Sequence, residues 1–139
     1  MSFSESFSDT VETSWEFPRT PRTAGSARSL LREQLAVWRI TGDAVDAAEL
    51  LLSELVANAI RHANVPGGDE LGVRLVYGDG MLRVEVSDTD SRRPEPRVAG
   101  ADDEGGRGLF LVSALSERWG CDPRRHGAGK TVWVELKTR

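Results

Sequence analysis

The chain has 139 residues, 39% of them hydrophobic and 29% charged, a composition typical of one soluble globular domain. Its 18 basic and 22 acidic residues give a net charge of −4, which argues against direct nucleic-acid binding, since that relies on clustered Lys and Arg. The single Cys121 cannot form an internal disulfide, and no apolar run is long enough to span a membrane. The N-terminus, MSFSESFSDT, is too polar for a signal peptide. We therefore expect a cytoplasmic protein.

The N-terminal segment is predicted to contain a tail, a short strand and a helix. Residues 1–11 are Ser-rich with few apolar anchors, so we expect a flexible tail before a single domain at residues 12–139. The sequence SWEF predicts a short extended segment that ends at Pro18. Apolar residues then recur at helical spacing, which predicts a first helix over residues 23–40.

A second helix over residues 44–63 carries the strongest pattern in the sequence. Thr41-Gly42-Asp43 separates it from the first helix, and Asp43 can cap its N-terminus. Its apolar residues form one broad face: Leu52, Val56, Ala59, Ile60 and Ala63. Such a face must lie against a core.

The remaining sequence predicts two strand pairs around a long loop and a third helix. Gly78-Asp79-Gly80 suits a tight turn between two alternating strands. Residues 89–106 are polar and aperiodic, residues 107–119 have a helical pattern, and Gly127-Ala128-Gly129 joins two final strands. This order predicts an α+β, two-layer sandwich with helices packed on one face of a mixed, mostly antiparallel sheet.

The second helix also carries polar residues on one face. Glu54, Asn58 and His62 are spaced i, i+4 and i+8, so they project in nearly the same direction. A solvated stripe opposite the core would have this spacing. However, Glu54 and Asn58 lie in an otherwise apolar segment, and their oxygens are the ligand type that Mg²⁺ prefers. Both interpretations stay open on spacing alone.

Gly129-Lys130-Thr131 resembles the end of a phosphate-binding P-loop, but the surrounding sequence does not. A P-loop needs a glycine five residues earlier, and that position is Arg124. Residues 132–139 alternate as a strand does, whereas a P-loop opens a helix. We therefore reject a P-loop here.

Two other positions have the chemistry of a ligand site. Asp88 ends a predicted strand, where its carboxylate can meet a ligand. Gly106 and Gly108 flank Arg107 at the start of the third helix, and helix N-termini approached by glycine bind anions well. A simple glycine-rich loop would account for the same pair of glycines.

Taken together, these motifs resemble the GHKL (Bergerat) ATP-binding fold of gyrases, histidine kinases and mismatch-repair ATPases. ELVANAIRHA resembles its N box, VSDTD stands in the place of its G1 box, and GGRGLFLV is similar to its G2 box. GKTVWVEL is similar to the final strand beside the nucleotide. The resemblance is strongest to the bacterial anti-sigma-factor serine/threonine kinases, including the actinobacterial ATP-binding regulators.

The resemblance implies ATP and Mg²⁺ as cofactors and a role for each site residue. Asn58 would coordinate Mg²⁺, and Glu54 would be the general base. Asp88 would accept a hydrogen bond from the adenine amino group, with Thr131 hydrogen-bonding around Asp88. The remaining implied positions lie on the phosphate side: Gly106 and Gly108, which let the backbone approach the phosphates; an ATP lid at residues 89–105; and Arg107 and Lys130, which add positive charge.

The sequence departs from the family at the G1 box, which usually reads Asp-x-Gly-x-Gly. Here the segment is Asp88-Thr89-Asp90-Ser91-Arg92, without either glycine. Two functions therefore stay open. One is an anti-sigma factor that sequesters a sigma factor and phosphorylates a Ser or Thr of an anti-anti-sigma antagonist. The other is a non-catalytic, nucleotide-responsive interaction module. A homodimer is compatible with either.

Overall fold

The computed structural model describes residues 9–62, 70–88, 112, 114–124 and 129–138, without the side chains of residues 61 and 62. The described elements follow in chain order: β1 (Val11–Pro18), α1 (Thr23–Val37), α2 (Asp43–His62), β2 (Glu70–Gly78), β3 (Met81–Asp88), β4 (Arg118–Pro123) and β5 (Lys130–Lys137). The α+β prediction is confirmed. Within this part of the chain, no helix is both long enough and apolar enough to cross a membrane.

The five strands form one sheet in the order β1-β2-β3-β5-β4, and every described pairing is antiparallel. The predicted hairpin turn joins β2 to β3. Its central residues, Asp79 and Gly80, have positive φ angles of 54° and 73°. Backbone of this type matches the twist of the flanking strands, so the turn fixes their register from Gly78 opposite Met81 onward.

The first helix ends three residues earlier than the sequence pattern indicates. The Ile40 amide donates to the Leu35 carbonyl at 2.9 Å, and Arg39 adopts a left-handed φ of 62°. This is a Schellman-type helix end, in which the residue after the left-handed one folds back onto the helix. Ile40 is consequently buried. Its apolar side chain extended the helical pattern because it contacts the core, although the residue lies after the end of α1.

The two helices pack against each other, and α2 packs on β3 and β5. Apolar residues from one face of the strands meet them to form the core. Its largest fully buried side chains are Leu31, Leu35, Leu51, Leu52, Leu71, Leu75, Leu82, Val56, Val73, Val84, Val86 and Val112. Four residues of the predicted apolar face of the second helix therefore lie against a core, Leu52, Val56, Ala59 and Ile60, and Ala63 lies outside the described residues.

The other face of the sheet points away from the helices and carries a ladder of charged residues. Arg74 on β2 bonds to Glu85 on β3 at 3.3 Å, and Arg83 reaches Glu135 on β5 at 3.0 Å. Ion pairs continue to both edge strands. The full ladder, which spans all five strands, is Glu12, Arg74, Glu85, Arg83, Glu135 and Arg118.

The helix predicted over residues 107–119 overlaps a strand at its end. Residues 112, 114 and 115 are helical, whereas residues 107–111 and 113 lie outside the described residues. Arg118 and Trp119 belong to β4, opposite Glu135 and Val134 of β5. Their assignment to the helix was therefore wrong, because pairing with β5 determines their conformation and local periodicity does not.

Candidate functional site

The polar residues of α2 lie at the border of its packed face. Glu54 and Asn58 are half-buried, one helical turn apart, beside fully or almost fully buried Leu51 and Leu55. A solvated stripe opposite the core would be exposed, as Leu50 is on the same helix. The structure thus disfavours the solvated stripe for Glu54 and Asn58, while the His62 side chain lies outside the described residues.

Asp88 and Lys130 are direct cross-strand partners at one end of the sheet. Asp88 is the last residue of β3, Lys130 is the first of β5, and the Lys130 Nζ lies 3.3 Å from the Asp88 Oδ1. Asp88 is 1% exposed and Lys130 is 7% exposed. Each charge is thus removed from water next to the other, an arrangement that a buried carboxylate requires.

Thr131 lies on the other face of the sheet from Asp88. Successive side chains of a strand point to opposite faces, and Thr131 is paired with Ser87. The two hydroxyl oxygens are 2.7 Å apart. The residue that faces Asp88 from β5 is Lys130, a role that sequence reasoning missed because it placed this lysine near the phosphates. Lys130 would have been recognised as the partner of Asp88 if the register between β3 and β5 had been known.

The remaining predicted positions lie outside the described residues. These are Gly106 and Gly108, Arg107, and the predicted ATP lid at residues 89–105. The described structure brings together Asp88, Lys130 and the Ser87–Thr131 pair at the β3–β5 junction, and it brings together Glu54 and Asn58 on α2.

The donor chemistry on α2 fits a magnesium ion. Mg²⁺ takes oxygen ligands, keeps several waters and is usually held by one or two protein groups together with substrate phosphates. Asn58 offers an amide oxygen and Glu54 a carboxylate at the border of the packed face. No described group of three or more His, Cys, Asp or Glu could form an all-protein metal cage.

The chain matches the model of a known family over most of its length. Residues 17–136 match the model of the histidine kinase-like ATPase domain. The chain therefore belongs to that family, as its N-box and G2-box motifs indicated.

The chain is also similar to two individual proteins. An uncharacterized protein of Streptomyces coelicolor is 41% identical over 76 residues, which cover 52% of this chain and 70% of that protein. The crystal structure of the RsbU and RsbW domains of Rv1364c from Mycobacterium tuberculosis is similar over 91% of this chain, with a TM-score of 0.69 and 21% identity. This chain spans about a third of the length of that structure, 32%, and at this identity the similarity shows the fold.

Proposed function

We propose that the protein is an ATP-binding regulator that acts as an anti-sigma factor and as a protein serine/threonine kinase. The observation that carries this proposal is the half-buried Glu54–Asn58 pair on the core-packed helix of a histidine kinase-like ATPase domain. The fold shared with the RsbW-containing structure supports the same branch of the family.

In this proposal each residue performs one task. Asn58 holds Mg²⁺, which neutralises the phosphates when it is bound. Glu54 accepts the proton of the attacking Ser or Thr hydroxyl, and Asp88 accepts a hydrogen bond from the adenine amino group. Gly106 and Gly108 let the backbone approach the phosphates, whereas Thr131, on the opposite face of the sheet from Asp88, has no task at the base in this proposal. Phosphoryl transfer requires little more than this positioning and charge neutralisation.

The proposed partners are a sigma factor, which the protein sequesters, and an anti-anti-sigma antagonist, which it phosphorylates on a Ser or Thr. They are suggested by the family branch to which the fold is similar. A cytoplasmic location and a homodimer are compatible with this role.

A non-catalytic, nucleotide-responsive interaction module is the second candidate. Two observations favour it: the G1 segment lacks both usual glycines, and a buried lysine already contacts Asp88. In this alternative, nucleotide binding would only bias a partner-binding surface, and Glu54 would have no catalytic task.

Calorimetric titration of Mg-ATP into the purified protein tests the nucleotide site. We expect Asn58→Ala to weaken binding by at least about tenfold, because it removes a metal ligand. Leu50→Ala, an exposed change on the same helix, is the control and should bind as the wild type does. Equal affinity of Asn58→Ala and wild type would refute the assigned ligand.

Labelled γ-phosphate transfer to co-purified proteins separates the two candidates. A kinase should label a partner on Ser or Thr, and Glu54→Ala should abolish the labelling while ATP affinity changes little. Labelling at the normal rate by Glu54→Ala would exclude Glu54 as the base. ATP binding without any labelled partner would favour the non-catalytic module.

A further inference from the structure

The Asp88 carboxylate, to which we assign recognition of the nucleotide base, is already in contact with a cation from its own chain. The ammonium of Lys130 lies 3.3 Å from Oδ1, and the Asp88 residue is 1% exposed. The two strands fix this contact, because Asp88 and Lys130 are directly opposite each other in the β3–β5 ladder.

In this contact Asp88 accepts a hydrogen bond from an N–H donor, as it would from adenine. The exocyclic amino group of adenine presents N–H donors, and so does a lysine ammonium. The ammonium carries a full positive charge, and charge-assisted hydrogen bonds are roughly twice as strong as neutral ones. Lys130 is therefore the stronger donor of the two for the same buried carboxylate.

The hydroxyl of Thr131 cannot replace the Lys130 ammonium as the donor to Asp88 unless the register between β3 and β5 changes. Thr131 follows Lys130 on β5, and its hydroxyl lies 2.7 Å from that of Ser87 on the face of the sheet opposite Asp88. A one-residue shift in register would be needed to exchange them, and that would also move the buried Val132 and Val134 out of the core.

We propose that Lys130 is an internal competitor of the nucleotide base: its ammonium occupies the carboxylate that would otherwise accept the adenine amino group. Nucleotide binding then requires the Lys130 side chain to leave Asp88, so the wild-type protein binds ATP weakly. This inference rests on the proposed function, because it assumes that Asp88 faces the base. Lys130 is thus a specificity-determining residue, a role different from the charge on the phosphate side that the family resemblance implied.

Lys130→Met tests the inference because it keeps a long apolar stem and removes the ammonium. We expect Mg-ATP to bind at least about tenfold more tightly to this variant, since a competing charge-assisted contact is gone. Lys137→Met is the matched control: it lies on the same strand, is exposed, and pairs with Glu117 at 3.6 Å. Its affinity for ATP should be that of the wild type.

Inosine triphosphate provides a second readout that a general change of the pocket would not reproduce. Its base carries a carbonyl where adenine carries the amino group, so it offers an acceptor to the Asp88 carboxylate. We expect no tighter binding of inosine triphosphate to Lys130→Met. Equal gains for both nucleotides would contradict competition at Asp88.

The outcomes distinguish this inference from the proposed function. If Lys130→Met and the wild type bind ATP equally, or if the variant binds more weakly, Lys130 does not compete and the inference is wrong while the ATP site stands. If neither protein binds ATP, the proposed function fails together with the inference.

A double variant keeps the test valid if Lys130→Met does not fold. Asp88→Asn combined with Lys130→Met removes both buried charges, and the asparagine carbonyl can still accept from the adenine amino group. We expect it to bind ATP more tightly than the wild type. A folded double variant, verified by circular dichroism, that binds no more tightly would overturn the inference.

Discussion

The two faces of the sheet are stabilised by different kinds of interaction. The face covered by the helices is apolar apart from the Asp88–Lys130 pair at one end, and residues such as Leu75 and Leu82 are fully buried on it. The opposite face carries the charged ladder, in which carboxylates and guanidinium groups alternate across all five strands. One sequence pattern of period two produces both faces, because alternate residues of a strand point to opposite sides.

Apolar burial on one face determines the fold, and specific polar contacts on the other face determine which residues of neighbouring strands stand opposite each other. Burial of apolar area is non-directional, so the helix-covered face tolerates exchanges of similar volume. Ion pairs and ring contacts on the other face depend on which residues stand opposite each other. Arg83, for example, is held by Glu135 and also lies 4.1 Å from the centre of the Trp133 ring.

The largest effect is expected from truncating the helix-covered face. Leu75→Ala should lower the free energy of unfolding by about 2–5 kcal/mol, because it removes buried methyl groups and leaves a cavity. Val76→Ala is the matched control, since Val76 is the next residue of β2, half-buried on the other face. Urea unfolding followed by circular dichroism measures both. Equal losses for the two variants would mean that the faces are not distinct.

Much of this architecture could be predicted because it depends on local signals. The period of the apolar residues predicted α2, and Gly78-Asp79-Gly80 predicted the hairpin between β2 and β3. The C-terminal end of α1 and the start of β4 could not be predicted in the same way. Ile40 follows a left-handed helix end that closes back onto Leu35, and Trp119 is paired with Val134 of β5, so apolar spacing alone identifies neither conformation.

The candidate site was predictable in its motifs and less so in its pairings. Helical spacing and the N-box resemblance predict Glu54 and Asn58 as site residues, and both lie at the border of the packed face. The partner of Asp88 was not identified, because it depends on the register between β3 and β5. Register between strands far apart in sequence has no local signature in a single sequence.

A smaller effect is expected at Gly120, on the face that carries the charged ladder. A Cβ atom there would lie 2.6 Å from Cζ2 of Trp133, so Gly120→Ala should displace the indole. The indole would lose its 3.1 Å hydrogen bond to Asp122 and its contact with Arg83. We expect a loss of about 1–3 kcal/mol, as for overpacked sites.

Tryptophan fluorescence together with urea unfolding measures this change. The double variant Gly120→Ala with Trp133→Ala is the control, because it removes the ring that the new methyl group would meet. Its stability should equal that of Trp133→Ala alone. A further loss in the double variant would show that Gly120 is required for another reason than its contact with the indole.

The smallest effect is expected at Glu135, at the centre of the ladder. Burial alone would raise the pKa of this carboxyl, but hydrogen bonds from Arg118 and Arg83 and their positive charges outweigh it, and the pKa is lowered. Glu135→Gln should cost about 1 kcal/mol at neutral pH, because both guanidinium groups reach solvent, which weakens their interaction with the carboxylate.

The lowered pKa also gives this face a pH dependence. A carboxyl whose pKa is lower in the folded state stabilises the fold above its unfolded pKa, about 4.3 for Glu, and this contribution is lost as the pH falls through the folded pKa. Melting temperatures between neutral pH and about pH 3 should therefore fall less steeply for Glu135→Gln than for the wild type. Glu12, which Arg74 likewise holds at a lowered pKa, remains in the variant, so some slope should persist. Parallel curves would show that the ladder stabilises the sheet through packing and not through the charge of Glu135.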